Sequence, residues 1–260
     1  MDILLNSTDK NSITQIFYFD KRRRKCYNKN MKKQFERTAL LLGERGVQKL
    51  NNSKVAIFGV GGVGGYCVEA LARAGVGELV LVDKDVVDET NINRQIIALH
   101  STVARPKTQV LKERIHDINP DCKVQAMQLF FSEQTSAEFD FSSFDYVVDA
   151  VDNVPAKVEL ILQSKRCNTP VISAMGAGNK LFPERFEIAD ISKTQVCPLA
   201  RAVRKKLKES GVVSGVKVVY SKEPPVPTAY SDAVGSVSFT PSVMGLLMAS
   251  QVINDLVESD

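Results

Sequence analysis

The feature that most restricts this chain is a short apolar run, Lys54-Val-Ala-Ile-Phe58, that opens without a spacer into Gly59-Val-Gly-Gly-Val-Gly-Gly65. β-Branched and aromatic residues favour the pleated backbone of a strand, whereas glycine accepts dihedrals that other residues resist. After the glycines, Val68, Leu71, Ala72 and Val76 recur at helical spacing. The segment therefore reads as strand, tight turn and helix, and helix-start N–H groups uncovered by side chains suit a phosphate. Leu79-Val-Leu-Val82 is a second buried strand that delivers Asp83 to its carboxyl edge, where open α/β sheets bind ligands. Gly59, Gly61, Gly62 and Gly64 are thus candidates for holding a nucleotide's phosphates, and Asp83 for its ribose. A nicotinamide dehydrogenase presents the same two features, so both nucleotide classes stay open at this point.

The alternation continues. Pro106 to Ile118 has helical periodicity and is closed by Asn119-Pro120, and Val124 to Met127 is the next strand. Tyr146 to Asp149 is a strand, Asp152-Asn153 caps a helix running from near Pro155 to Arg166, and Pro170 to Ala174 returns to strand. Upstream, Gln34 to Leu50 reads as one or two short helices. The fold class predicted is α/β: a Rossmann-like, doubly wound, mostly parallel sheet, with a C-terminal extension completing the domain. In that extension Arg185 to Ile188 and Val216 to Tyr220 read as strands and Pro198 to Glu209 as a basic helix. Lys222 to Gly235 reads as a proline-rich loop, and Pro241 to Val257 as a closing helix. Residues 1–30 lack any sustained period and carry Lys21-Arg-Arg-Arg-Lys25, so a mobile extension is expected there. Residues 31–257 form the main domain, with a flexible substrate-facing region near 195–235.

Composition narrows the chemistry. With 44% hydrophobic and 25% charged residues over 260 positions, the chain has the balance of a core-forming protein, and a net charge of +4 identifies no partner. Cys26, Cys67, Cys122, Cys167 and Cys197 are scattered, with no Cys-x-x-Cys pair, and their odd number fits a reducing cytoplasm. His100 and His116 are the sole histidines, which disfavours a histidine-rich metal site or relay. No secretory leader is evident, and the apolar run Val243 to Ile253 is too short to span a bilayer, so a cytoplasmic protein is expected. Cys67 reads as a core residue. Cys197 reads as a spectator thiol, since nothing in its neighbourhood supplies a base.

Three further clusters are more specific: Asp83-Lys-Asp85, Asn91-Ile-Asn-Arg94-Gln95 and Arg105-Pro-Lys107. Together they resemble the ubiquitin-activating-like adenylating superfamily, whose members activate a carboxylate by attack on the α-phosphate of ATP. Phe35-Glu-Arg37 is similar to that superfamily's entry helix, whose arginine reaches the nucleotide of a partner subunit. The resemblance implies that Asp83 binds ribose, that Asn91, Arg94, Gln95 and Lys107 hold phosphates, and that Asp149 holds Mg²⁺ with Asp85 nearby. It also implies a homodimer with Arg37 acting in trans, and ATP and Mg²⁺ as cofactors, with a monovalent cation admitted beside them. Arg94, Lys107, Arg37 and Asp149 would then be the catalytic set. The chemistry is consistent: fixed cations stabilise the charge that grows on a pentavalent phosphate, and an ionised carboxylate needs no general base.

Activators of sulfur-carrier proteins in this superfamily typically carry two Cys-x-x-Cys zinc pairs, which this sequence lacks. Asn93 to His100, Arg114 to Pro120, Asp149 to Lys157 and Asp190 to Thr194 instead resemble a tRNA-modifying branch. That branch uses ATP to dehydrate the threonylcarbamoyl group on the adenosine beside the anticodon, giving a cyclic form; the likeness covers residues 31–257. A tRNA substrate implies phosphate contacts, for which Arg201, Arg204, Lys205, Lys206, Lys208 and the Lys21 to Lys25 run are the sources. Two alternatives stand beside it: an adenylyltransferase acting on a small sulfur-carrier protein, and a non-catalytic scaffold in a sulfur relay with a cysteine desulfurase.

Overall fold

The computed structural model describes residues 32–228 and 234–259. The Lys21 to Lys25 run and residues 229–233 of the proline-rich segment lie outside them. Parallel strands β1 (Lys54–Phe58), β2 (Glu78–Val82), β3 (Lys123–Met127), β4 (Tyr146–Asp149), β5 (Val171–Ala174) and β7 (Lys217–Ser221) form one sheet, with β6 (Phe186–Asp190) antiparallel to β7. The order is β3-β2-β1-β4-β5-β7-β6. Between them lie α2 (Gly64–Ala74), α3 (Lys107–Ile118), α4 (Val154–Arg166) and α5 (Pro198–Glu209), flanked by α1 (Glu36–Asn52) and α6 (Phe239–Glu258).

Period-two alternation explains why both faces are covered. Val55, Ile57, Leu79 and Leu81 enter a core shared with Leu71, Met244, Met248 and Val252 of the helices. Their neighbours Ala56, Phe58, Val80 and Val82 point the other way. There they meet Phe131, Phe139, Phe141 and Phe144 from the irregular segment between β3 and β4, with Phe58 edge-on to Phe131 at 4.9 Å. A strand apolar on both faces is what a sheet sandwiched between two layers requires. A third cluster joins α4, α5 and β7 through Ile161, Val203, Leu207 and Val218.

Gly43, at φ +73° and ψ 163°, kinks α1, so the stretch read as one or two helices is two helices joined at one residue. The antiparallel β6 was not evident in the sequence as such, because its direction is set by pairing, from Phe186 opposite Ser221 to Asp190 opposite Lys217. The strand order reverses between β1 and β4, and the crevice outside their carboxyl ends is where such sheets bind ligands. Among the described residues no helix is long and apolar enough to cross a membrane.

Candidate active site

A cleft of about 690 Å³ opens over that reversal point, at the carboxyl ends of β1, β2, β4 and β5. Its floor begins with the glycine turn. Gly59 has φ +84°, and a Cβ there would lie 2.6 Å from the carbonyl oxygen of Ala150, so this strand exit admits only glycine. Gly61 and Gly62 also line the cleft, whereas Gly64 does not. A Cβ on Gly64 would lie 1.8 Å from the Gly59 carbonyl oxygen. The bareness of Gly64 therefore serves the packing of strand against helix, while Gly59, Gly61 and Gly62 present the turn to the cleft. Val63 precedes α2 and supplies no capping side chain; the Gly65 N–H is taken by the Gly61 carbonyl oxygen at 2.9 Å, whereas the Gly64 N–H has no acceptor among the described residues and stays available to an anionic ligand.

Asp83 lines the cleft and also ties the turn together. Its Oδ2 accepts from the Val60 N–H at 2.8 Å and its Oδ1 from the Asp85 N–H at 2.9 Å, leaving further lone pairs for ribose hydroxyls. Lys107 reaches the same edge because residues 83–107 fold back on themselves, with Val87 N–H bonded to Arg105 O at 2.8 Å and Lys107 N–H to Asp85 O at 3.1 Å. Lys107 is 5% exposed, and its ammonium lies 3.0 Å from Asp85 Oδ2. Burial raises the Asp85 carboxyl, but the hydrogen bond and charge of Lys107, with Lys84, outweigh it and hold the group below the usual carboxylate range. Arg94 lines the cleft, its guanidinium held by Nη1 donating to Thr90 O at 2.8 Å and to Asn93 Oδ1 at 2.9 Å. Asn91 lines the wall while accepting from Asp88 N–H at 3.2 Å. Gln95 is 7% exposed, and its buried Oε1 has no partner among the described residues, a defect that a polar ligand or water in the cleft would repair.

Two expectations concerning charged groups change. Asp149 does not face the cleft. It is fully buried at the end of β4, held by Lys157 Nζ at 3.0 and 3.1 Å, by Ser173 Oγ at 2.5 Å and by Val151 N–H at 3.2 Å. Every carboxylate oxygen already has partners and Lys157 is itself 0% exposed, so in this structure Asp149 is not presented to a metal in the cleft. The acid that does line the cleft is Asp152, exposed, with no hydrogen-bond or ion-pair partner among the described residues. Asn153 caps α4 through Ala156 N–H at 3.0 Å, which releases Asp152 from the capping role. Arg37 lies exposed on α1, outside the wall of its own chain's cleft.

The family model for the ThiF family matches residues 35–259. The chain belongs to the ThiF family. It is 46% identical over 241 residues to the tRNA threonylcarbamoyladenosine dehydratase of Bacillus subtilis (strain 168), covering 86% of this chain and 95% of that protein. Two crystal structures of the E. coli tRNA N6-threonylcarbamoyladenosine dehydratase cover 86% of this chain and 93% of theirs. The AMP complex gives a TM-score of 0.81 at 35% identity, and the ATP complex 0.80 at 34%.

The cleft of this ThiF-family chain extends toward β5 and α5, where Lys180, Cys197 and Leu199 line it. Sequence reasoning missed Asp152 and Lys180. For Asp152 a signal existed: it follows the strand instead of ending it, and loops beyond a carboxyl edge face the ligand. Lys180 carried no local signal. The basic helix α5 is divided by its packing. Arg204 turns inward, Nη1 donating to Thr194 O at 2.8 Å and Thr194 Oγ1 at 2.6 Å, and so leaves the exposed face. Lys206 pairs with Glu209 at 3.1 Å. Arg201, Lys205 and Lys208 remain exposed at i, i+4 and i+7, a single stripe. Cys197 is 3% exposed and packs with Ile191 and Ala200.

Proposed function

We propose that this protein is an ATP-dependent tRNA threonylcarbamoyladenosine dehydratase, activating the threonyl carboxylate as an acyl adenylate and closing it into a ring. The observation that carries this reading is its likeness to the Bacillus subtilis dehydratase over nearly that protein's whole length. The cleft supports it: a glycine turn leading into a helix, two cations and a ribose acid stand together without a histidine.

In this reaction the glycine turn and the start of α2 cradle the phosphates of ATP, and Asp83 holds the ribose. A carboxylate oxygen forms a bond to the α-phosphorus while the bond to the β-phosphate oxygen breaks, and pyrophosphate leaves with the electron pair. Arg94 and Lys107 neutralise the charge growing on the equatorial oxygens. A nitrogen of the same modification then bonds to the acyl carbon, the carbon–oxygen bond to AMP breaks, and the nitrogen loses its proton. Tethering makes this closure intramolecular. Asp152 would hold Mg²⁺ as a hard oxygen ligand, and the bound ion would offset charge on the leaving pyrophosphate. Arg201, Lys205 and Lys208 hold tRNA phosphates. Arg37, exposed beside Leu40 and Leu41, which are 57% and 88% exposed, completes the site of a second copy in a homodimer.

The test is nucleoside mass spectrometry after incubation with ATP, Mg²⁺ and tRNA carrying the uncyclised modification. Loss of one water, dependent on ATP and abolished by Asp152→Asn, is expected. An unchanged nucleoside from folded, ATP-binding protein refutes the reading.

A further inference from the structure

On the β5 side of the cleft stands a buried lysine that no carboxylate among the described residues pairs. Lys180 is 3% exposed yet lines the cleft. Its Nζ donates to the main-chain carbonyl of Glu223. The Glu223 carboxylate, also 3% exposed, would be the natural counter-ion, but it is spent on the N–H groups of Leu181 at 2.9 Å and Phe182 at 3.0 Å. Among the described residues no carboxylate forms an ion pair with Lys180. An ammonium has three protons, and burying it without a counter-charge is strongly unfavourable unless an anion arrives. Burial holds this amine below the ordinary lysine range, against the smaller opposing influence of Cys197 and Glu223.

The amino end of α5 opens onto the same place. Cys197, close enough to Lys180 to interact with it electrostatically, occupies the cap position without capping. Pro198 has no N–H, and the amides of Leu199 and Ala200 have no acceptor among the described residues. A buried cation and unspent helix-start amides thus converge on one wall. Asp83 and Lys107 stand at the edge of β2, three strand spacings from β5, roughly 14 Å at about 4.8 Å per spacing. The nucleotide's anchors and this wall are therefore separate, with the glycine turn between them.

Resting on the function proposed above, we infer that Lys180 and the amino end of α5 receive the substrate's threonyl carboxylate and present it to the α-phosphate. The site takes a carboxylate already ionised in solution, so it orients the nucleophile and need not activate it.

The test compares binding, without ATP, of an anticodon stem-loop bearing the threonylcarbamoyl group and of the same RNA with that carboxylate converted to an amide. Wild type is expected to prefer the carboxylate by about tenfold or more, the scale of a charge-assisted contact. Lys180→Gln should bind both equally, and Lys180→Arg should recover part of the preference. Affinity for ATP and thermal midpoint should stay at wild-type values. An intact preference in Lys180→Gln overturns the assignment, and so does an equal loss of ATP affinity, which would make Lys180 a strut for the Glu223 segment. If wild type leaves the modified nucleoside unchanged with ATP present, the functional reading fails, and the named ligand fails with it. If wild type reacts and Lys180→Gln reacts equally well, the role of Lys180 alone is refuted.

Discussion

Lys157→Met is the sharpest probe of how this site is built. The ammonium of Lys157 lies 3.0 and 3.1 Å from the two oxygens of Asp149, and both side chains are fully buried. Methionine fills a similar volume without charge, so the substitution strands a carboxylate whose remaining partners are Ser173 and the Val151 N–H. Breaking one side of a buried pair costs about 3–5 kcal/mol. At about 2–4 °C per kcal/mol for a chain near this size, the thermal midpoint should fall by roughly 6–20 °C. The double variant Asp149→Asn/Lys157→Met removes both charges and should recover most of that loss, giving a coupling readable by a double-mutant cycle. Urea denaturation followed by circular dichroism supplies the free energies, and ATP–pyrophosphate exchange below the melting range supplies the activity. If Lys157→Met keeps the wild-type midpoint while Asp149→Asn loses exchange at full stability, Asp149 acts on the ligand and the buried-pair reasoning is refuted.

Asp152→Asn should leave the thermal midpoint within a degree or two, since the side chain is exposed and unpartnered among the described residues, while lowering exchange about 100-fold and raising the Mg²⁺ needed; unchanged Mg²⁺ dependence counts against it. Gly64→Ala should fail to fold, because its Cβ would meet the Gly59 carbonyl oxygen at 1.8 Å, whereas Gly62→Ala meets Pro241 at 3.3 Å and should fold with weakened ATP binding; calorimetry of both separates the two glycine roles. Burial raises the carboxyl of Glu69, but hydrogen bonds from Arg114 at 2.6 and 3.0 Å and from Arg73 at 2.8 Å outweigh it, leaving the group below its ordinary 4.5. A carboxyl lowered in the folded state stabilises above its unfolded value and loses that contribution as pH falls through the folded one. Stability should therefore drop as pH falls below about 4.5, and Glu69→Gln should flatten that limb in pH-dependent urea melts.

The fold was legible because its signals are local. The run from Lys54 to Gly65 fixes a strand, a turn and a helix start within a dozen residues, and the alternation Val55, Ala56, Ile57, Phe58 already implies two covered faces. What covers the second face was not legible. Phe131, Phe139, Phe141 and Phe144 follow neither helical nor strand period; Phe131, Phe139 and Phe141 meet Phe58 and one another, and Phe144 joins through Phe141.

The same division separates cleft residues that local signals locate from charged residues whose surroundings they do not reveal. Gly59, Asp83 and Lys107 sit where short-range rules put them, at a strand exit, a strand edge and a helix start. A charged side chain, in contrast, is available to a ligand only if the fold has not already used it, and the using partner lies elsewhere in the chain. Asp149 is consumed by Ser173, 24 positions away, and by Lys157; Arg204 is consumed by Thr194. Lys180 reverses the case, because the acid that should consume it, 43 positions on, is itself occupied by the amides of Leu181 and Phe182. Sequence motifs therefore locate the cleft, but the balance of buried charge decides which residues in it remain free to act.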